Sequence, residues 1–428
     1  MPLPALSDAA TAVTILFILL VPFAAAGLAL INTGLGRSRS AAHSMLSSLA
    51  VIATAALVYF VCGFAWQGIA GGPAHVLMLA GKPWNWIAAD RFFLRGVELN
   101  GSPASLVVWL ELLSVSLAGL IPLGSGADRW RLGATCASTA LLAGLTYPVY
   151  AHWVRGGGWL AQLGANYGLG NGFLDAGGAS SIQVVGGLTA LAVTWILGPR
   201  RGKYPLVGMP AAIPGHNVVL VLLACLLALL GWTGLNCAGA MLFAGVEPGR
   251  VVLIAVNTLL AAAAAAMAAA TVTRVRFGKP DASLCANGWV SGLVASSAAS
   301  AFVAPGAMVA IGLAAGVLTT FAVELLELRL TVDDPAGGIS VHAIGGIWGL
   351  LALGVFAGGP GQLLAQLVGV ATLLGFVLPL TYGLNWGLNR IYPQRVSPDG
   401  ERHGMDLHEL GAGAYPEFMT HDEDFLQR

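Results

Sequence analysis

Charged side chains make up only 9% of the 428 residues, where a soluble chain carries roughly a quarter. That scarcity excludes a water-covered surface over most of the molecule. The charges present balance, with 20 Lys and Arg against 20 Asp and Glu, and the basic residues stand at the ends of apolar runs without interleaved aromatics. No nucleic-acid partner is expected from such a pattern. The five cysteines, Cys62, Cys136, Cys225, Cys237 and Cys285, are scattered through apolar segments with no C-x-x-C pair, which argues against a disulfide framework or a zinc site. The eight histidines form no H-x-x-x-H helical pair, and no nucleophile–base pair stands out. Neither metal, cofactor nor enzymatic chemistry is therefore expected. Apolar and polar residues do not alternate with period two, so an outer-membrane barrel is not indicated.

What fills the chain is apolar: 57% of residues are hydrophobic and mean hydropathy is +0.79. A helix needs about 20 residues to cross a hydrocarbon core of about 30 Å. Eleven runs of suitable length recur, near 9–32, 44–66, 103–124, 131–153, 178–198, 216–236, 250–273, 284–303, 306–328, 341–358 and 362–389. Gly, 58 in number, and Ala dominate them, as suits closely packed membrane helices. The expected protein is an all-α membrane protein of eleven transmembrane helices over residues 1–389, followed by a polar tail at 390–428.

Lys and Arg are retained on the cytoplasmic side. Nothing basic precedes the first run, whereas Arg37 and Arg39 follow it; the same side then gathers Arg129, Arg131, Arg200, Arg201, Lys203, Arg274, Arg276, Lys279 and Arg329. The N-terminus is thus expected outside and the tail inside. The opening Met1-Pro-Leu-Pro offers no basic stretch for a removable signal, so the first helix is expected to stay.

Two segments resemble one another. Asp175-Ala-Gly-Gly-Ala-Ser-Ser-Ile-Gln183-Val-Val-Gly186-Gly187 and Asp334-Pro-Ala-Gly-Gly-Ile-Ser-Val-His342-Ala-Ile-Gly345-Gly346 each set an acid eight residues before a polar side chain, which a Gly-Gly follows. They open the fifth and tenth runs. An odd spacing of five helices gives the halves opposite polarity, an inverted five-helix repeat with one helix left over. Such folds hold the solute path between the halves near the midplane, where Gln183 and His342 would face one another. Asp175 and Asp334 read as caps for the backbone N–H groups of the following helices.

Here the sequence resembles the ammonium transporter/Rhesus (Amt/Rh) family. Asp333-Asp334-Pro335 and Val341-His342-Ala-Ile-Gly-Gly-Ile-Trp-Gly are similar to its tenth-helix signature. His152-Trp-Val-Arg155-Gly-Gly-Gly-Trp159 resembles the fourth-helix motif, Gly231-Trp232-Thr-Gly234-Leu-Asn236 the sixth, and Pro214-Gly-His216-Asn217 the loop before it; Leu197-Gly-Pro-Arg200-Arg-Gly-Lys203 also matches. The similarity runs over nearly the whole chain. It implies an Amt-like fold, a homotrimer in the cytoplasmic membrane and one narrow hydrophobic pore per subunit. The tail at Glu401–His408 and Ala414-Tyr415 resembles the segment through which family members meet PII-type signalling proteins, while His421–Asp424 reads as a solvated terminus.

The resemblance also locates departures. Ammonium-conducting relatives recruit the cation with a Trp, a Phe and a Ser, close the mouth with two Phe, and line the lumen with twin His. At those positions this chain carries Arg155 for the vestibule Trp, Gly239 for the Ser, Leu235 for the inner Phe, Gln183 for the first His and, by alignment on Asp128-Arg129, Ser114 for the outer Phe. Asp175, Trp232, Asn236 and His342 are retained.

Two readings of Arg155 follow. A free guanidinium at a mouth repels NH4+ by about 4 kcal/mol at 4 Å and an effective dielectric near 20, and would attract an anion. Alternatively it snorkels outward or pairs with Glu111, an acid inside the third span. Gln183 likewise either breaks a proton relay, since an amide does not titrate here, or holds the tautomer of His342 for passage of a neutral molecule. The expected function is a channel or transporter for a small solute, nominally ammonium or ammonia. A pore retuned for a small anion such as bicarbonate or nitrite is the alternative, and a non-conducting solute sensor is a third.

Overall fold

The computed structural model describes residues 3–415, and the acidic terminus at His421–Asp424 lies outside them. Long helices account for most of it: α1 Asp8–Leu35, α2 Ser38–Gln67, α3 Pro103–Ser125, α4 Leu132–Val154, α5 Ala179–Leu197, α6 Val218–Phe243, α7 Pro248–Phe277, α8 Ala282–Ala299, α9 Pro305–Leu328, α10 Gly338–Phe356 and α11 Gln362–Ile391. Ten of these are long and apolar enough to cross a membrane. The exception is α8, expected as a span near 284–303. Its sequence, Ala-Ser-Leu-Cys-Ala-Asn-Gly-Trp-Val-Ser-Gly, trades hydropathy for Ser, Asn and Gly because it packs inside the bundle, where Ser291, Ser296 and Leu293 are fully buried.

The helices end where local chemistry tells them to. Asn217 and Asp281 accept from the N–H groups of Leu220 and Leu284 and so start α6 and α8, satisfying donors that a helix N-terminus leaves free. Pro103 and Pro305 occupy the first helical position, where a missing N–H costs nothing. Prolines inside α4 and α11 act differently. Pro148 and Pro379 each follow a π-helical turn, Leu142–Thr146 and Leu373–Val377, in which the wider winding absorbs the lost hydrogen bond.

Small residues set the approach of helices whose polar backbone must stay dry. At the crossing of α1 and α6, a methyl at Gly27 would lie 2.9 Å from Ala228 N, and one at Gly231 would run into the backbone of Ala24. At the crossing of α5 and α10, Gly187 abuts Ala343 and Gly346 abuts Val184 and Ala179 O. The second pair falls at equivalent positions of the two similar segments. Gly186 then rests on α3 at Ile121, and Gly345 on α8 at Ser291.

Between α2 and α3 lies a hairpin the sequence did not announce: β1 His75–Leu79 and β2 Lys82–Ile87, antiparallel, with Leu79 opposite Lys82. Its two-residue turn, Ala80-Gly81, has positive φ at both positions, the type I′ geometry that matches strand twist. Trp84 and Trp86 from β2 join Trp153 and Trp159 in an aromatic cluster that covers the end of α4 bearing Arg155. The tail beyond α11 doubles back: the Glu401 carboxylate accepts from Arg201 N and Arg395, and Gly404 lies against Arg39.

Candidate functional site

The first turns of α5 and α10 are both π-helical, Ala179–Val184 and Gly338–Ile344, and each follows a glycine in the left-handed region, Gly178 (φ +86°) and Gly337 (φ +75°). An L side chain is strained at such φ. Preceding each glycine by three residues, an aspartate caps the turn. Asp175 accepts from the N–H and hydroxyl of both Ser180 and Ser181. Asp334 accepts from Ile339 N, Ser340 N and Ser340 Oγ, and its other oxygen takes the Ser125 hydroxyl from α3. A π turn shifts side chains relative to an α turn, and here it carries Gln183 and His342 to the centre of the bundle.

These two meet directly. His342 Nδ1 lies 2.7 Å from Gln183 Oε1, and both residues are buried. With the amide oxygen facing the ring, Nδ1 carries the proton and Nε2 presents a lone pair. The Gln183 amide nitrogen is buried with no hydrogen-bond partner among the described residues, as is the indole nitrogen of Trp232, whose ring is centred 6.5 Å from the His342 ring. One acceptor and two donors without a protein partner thus sit in the buried interior. Leaving a buried donor unpaired costs about 1–3 kcal/mol, so this centre favours a small guest that accepts as well as donates. Toward the α1–α2 side, His342 closes a narrow cavity walled by Leu28, Ile31, Ile121, Val290 and Val341.

On the other side stands Arg155, whose guanidinium makes three hydrogen bonds. Its NH1 donates to Glu111 Oε1 at 2.9 Å, its Nε to Asp175 O and its NH2 to Ala176 O, and the Phe243 ring centroid lies 4.5 Å from Cζ. Tyr147 OH donates to the second Glu111 oxygen. Buried charges this closely matched satisfy each other's donors and acceptors. Arg155 is 5% exposed and Glu111 is wholly buried, so the pair ties α3 to α4 and to the loop before α5.

Gly239 lies against Ala176 O, leaving no room for a methyl, and Ser114 is buried one helical turn beyond Glu111 on α3. Leu235 is buried on α6, three residues from Trp232. Asn236 turns away from the centre and donates to Thr258 on α7 and Ser296 on α8.

Sequence reasoning missed Tyr147 and Phe243. Phe243 left a signal, because Trp232, Leu235, Gly239 and Phe243 repeat at helical spacing along one face of α6. Tyr147 left none, since its role depends on a partner 36 residues away. Also missed was a charged girdle below the helices, in which Arg200 bridges Asp333 and Asp128 while Arg129 reaches Asp333. Burial opposes ionisation of Asp333, but hydrogen bonds from Arg200 and the charges of Arg129 and Arg200 outweigh it and bring the carboxyl down to about 2.

Residues 12–415 match the Ammonium Transporter Family. The chain is 36% identical over 426 residues to ammonium transporter Amt2 of Archaeoglobus fulgidus, covering 94% of this chain and 86% of that one. It is 29% identical over 415 residues to the ammonium transporter of Bacillus subtilis, covering 94% and 97%. Among solved structures, the Sensor Amt Protein superposes with a TM-score of 0.84 at 28% identity, covering 93% of this chain and 97% of that one. Candida albicans Mep2 superposes at 0.77 with 22% identity over 95% and 90%, a likeness of fold. A helical bundle with ten candidate spans, a buried polar pair at the crossing of two similar helices, and a match over nearly its whole length together place this chain in the ammonium transporter family.

Proposed function

We propose that this protein passes ammonia in its neutral form across the cytoplasmic membrane, through one pore in each subunit of a homotrimer. Eleven spans, α8 included, form two inverted five-helix halves with α11 outside the repeat, the N-terminus facing out and the tail facing the cytoplasm. The matched environments of α5 and α10 support the inversion, as does the succession of basic residues at alternate helix ends.

The observation that carries the reading is the buried Gln183–His342 pair beside two unpaired donors. Ammonia accepts through its lone pair and donates through three N–H bonds, whereas NH4+ has no lone pair to offer Gln183 or Trp232. An isolated charge is also expensive in a dry interior. With Arg155 in the place of an aromatic face, the cation–π contribution of about 0.5–2 kcal/mol is absent. A proton relay needs titrating groups in series, and Gln183 interrupts it. An anion pore would need Arg155 as attractor, but Glu111, two carbonyls and Phe243 already occupy its guanidinium.

The test pairs two readouts on purified protein in liposomes: uptake of labelled methylamine, and net current on a supported membrane during ammonium pulses. Uptake above empty liposomes without net current is expected. A robust ammonium current in the wild type would overturn neutral passage. Uptake no faster than in empty liposomes would favour a second reading, a solute sensor that binds without conducting. That reading draws on the likeness to the Sensor Amt Protein.

A further inference from the structure

Three chain segments far apart in sequence converge below the helices on an open cleft of about 470 Å³. Arg37 and Arg39 come from the α1–α2 junction, Arg201 from the α5–α6 loop, and Arg402 from the tail, with Asp399 and Glu401 the acids of its wall. Glu401 is already consumed. It accepts from Arg201 N and Arg395 and is 2% exposed. Arg37 shares Asp128 with Arg200. Arg39 and Arg402 are exposed, and neither is within ion-pair distance of a carboxylate among the described residues. In the cleft wall four guanidinium groups (Arg37, Arg39, Arg201 and Arg402) meet two carboxylates (Asp399 and Glu401).

Fixed positive charge of this kind, held by folded loops, destabilises the docked tail unless an anion answers it. Arginine forks match phosphoryl oxygens two at a time, and a cleft this size exceeds what a single halide would fill. We propose that the cleft is a binding site for a phosphate-bearing anion, which clamps the tail against the α1–α2 and α5–α6 loops. The ligand chemistry is a phosphoryl group with at least two negative charges or a phosphodiester anchored at the membrane surface. The site is independent of which solute the pore passes. Because one wall is the tail, occupancy changes how firmly residues 398–410 are held.

Two arms distinguish the sources. In the first, full-length protein in zwitterionic nanodiscs is titrated with pyrophosphate, and binding is read by calorimetry and by hydrogen-exchange protection of residues 398–410. In the second, nanodiscs carry phosphatidylglycerol and no pyrophosphate, and the same protection is read. Wild type is compared with Arg39→Gln/Arg402→Gln, whose removed charges carry no ion pair, and with Lys279→Gln in the α7–α8 turn as a control for general charge. Expected is saturable binding in one arm, weakened at least tenfold in the double variant, unchanged in Lys279→Gln and reduced at high salt. A response confined to pyrophosphate assigns a soluble ligand; one confined to phosphatidylglycerol assigns a headgroup. Equal binding by wild type and double variant, or binding in neither arm, overturns the proposal.

Discussion

At Arg155 a single side chain separates recruitment from architecture. Both members of its pair are buried, and removing one leaves the other charged and unmatched in a dry place. Loss of about 3–5 kcal/mol is expected for Arg155→Ala or Glu111→Ala, while removing both restores much of it. A double-mutant cycle on thermal unfolding in detergent measures this coupling. Additive losses would mean that the pair contributes no mutual stabilisation. Gln183 supports a gain-of-function forecast. Gln183→His places two imidazoles in contact, supplying the titrating relay that the wild type lacks, so ammonium pulses that give no net current in the wild type should give one in the variant. Silence in both would show that the relay is broken elsewhere. Legibility at this scale followed chemistry: an acid inside an apolar run demands a partner, so Glu111 pointed to Arg155. Tyr147, an ordinary aromatic in an apolar helix, demanded nothing and stayed hidden.

The elements show the same divide. Hydrophobic runs located the long helices to within a few residues at most ends because lipid exposure forces their composition. The exceptions were the start of the 44–66 run, since α2 begins at Ser38, and the end of the 216–236 run, as α6 continues to Phe243 through residues that face protein. The hairpin escaped because strands of five and six residues with an Ala-Gly corner resemble any loop. The π turns escaped because winding is decided by the caps and neighbours. Those caps carry a prediction: Asp334→Ala strands the donors of Ile339, Ser340 and Ser125, and should destabilise the fold more than Asp334→Asn, which keeps an acceptor. Thermal midpoints that fall equally would assign the loss to charge alone.

The tail is a second element with a testable dependence. Glu409 accepts from His43 Nε2 and from Leu132 N. Burial would raise its pKa, but the His43 hydrogen bond, the Leu132 N–H and Arg131 hold it below the ordinary value of 4.5. A carboxyl with a depressed folded pKa contributes stability that is whole above its unfolded pKa and fades as pH falls through the folded one. Asp333, at about 2 against 3.8, adds the same sign lower down. A spin label at Ala414→Cys in a cysteine-free background should stay immobile from pH 7 to 5 and loosen as pH drops below about 4.5. Mobility unchanged down to pH 3 would mean that Glu409 does not hold the tail.

For the whole molecule, topology and assembly are one question. The tail reaches the α1–α2 junction through Gly404 against Arg39 and through Asp406, which accepts from the N–H groups of Ala42 and His43. Those contacts fix both segments on one face, whatever the orientation, and the proposed orientation makes that face the cytoplasmic one. The charged girdle of Asp128, Arg200 and Asp333 was illegible because three loops had to meet before it existed. The outward stripe of α6, by contrast, was already apolar in sequence: Val219, Leu223, Leu226 and Leu230 lie at helical spacing and are 74%, 53%, 56% and 46% exposed. Lipid and a second subunit compete for such a stripe, since hydrocarbon is as apolar as leucine and packing alone decides. A trimer would cover part of it. Cross-linking of purified protein should therefore stop at three subunits, and cysteines at Ser38 and Ala414 in intact cells should both resist a membrane-impermeant reagent until the cells are opened. Labelling of both in intact cells would reverse the orientation while leaving the tail contact intact. Labelling of one alone would mean that the tail is not docked as described.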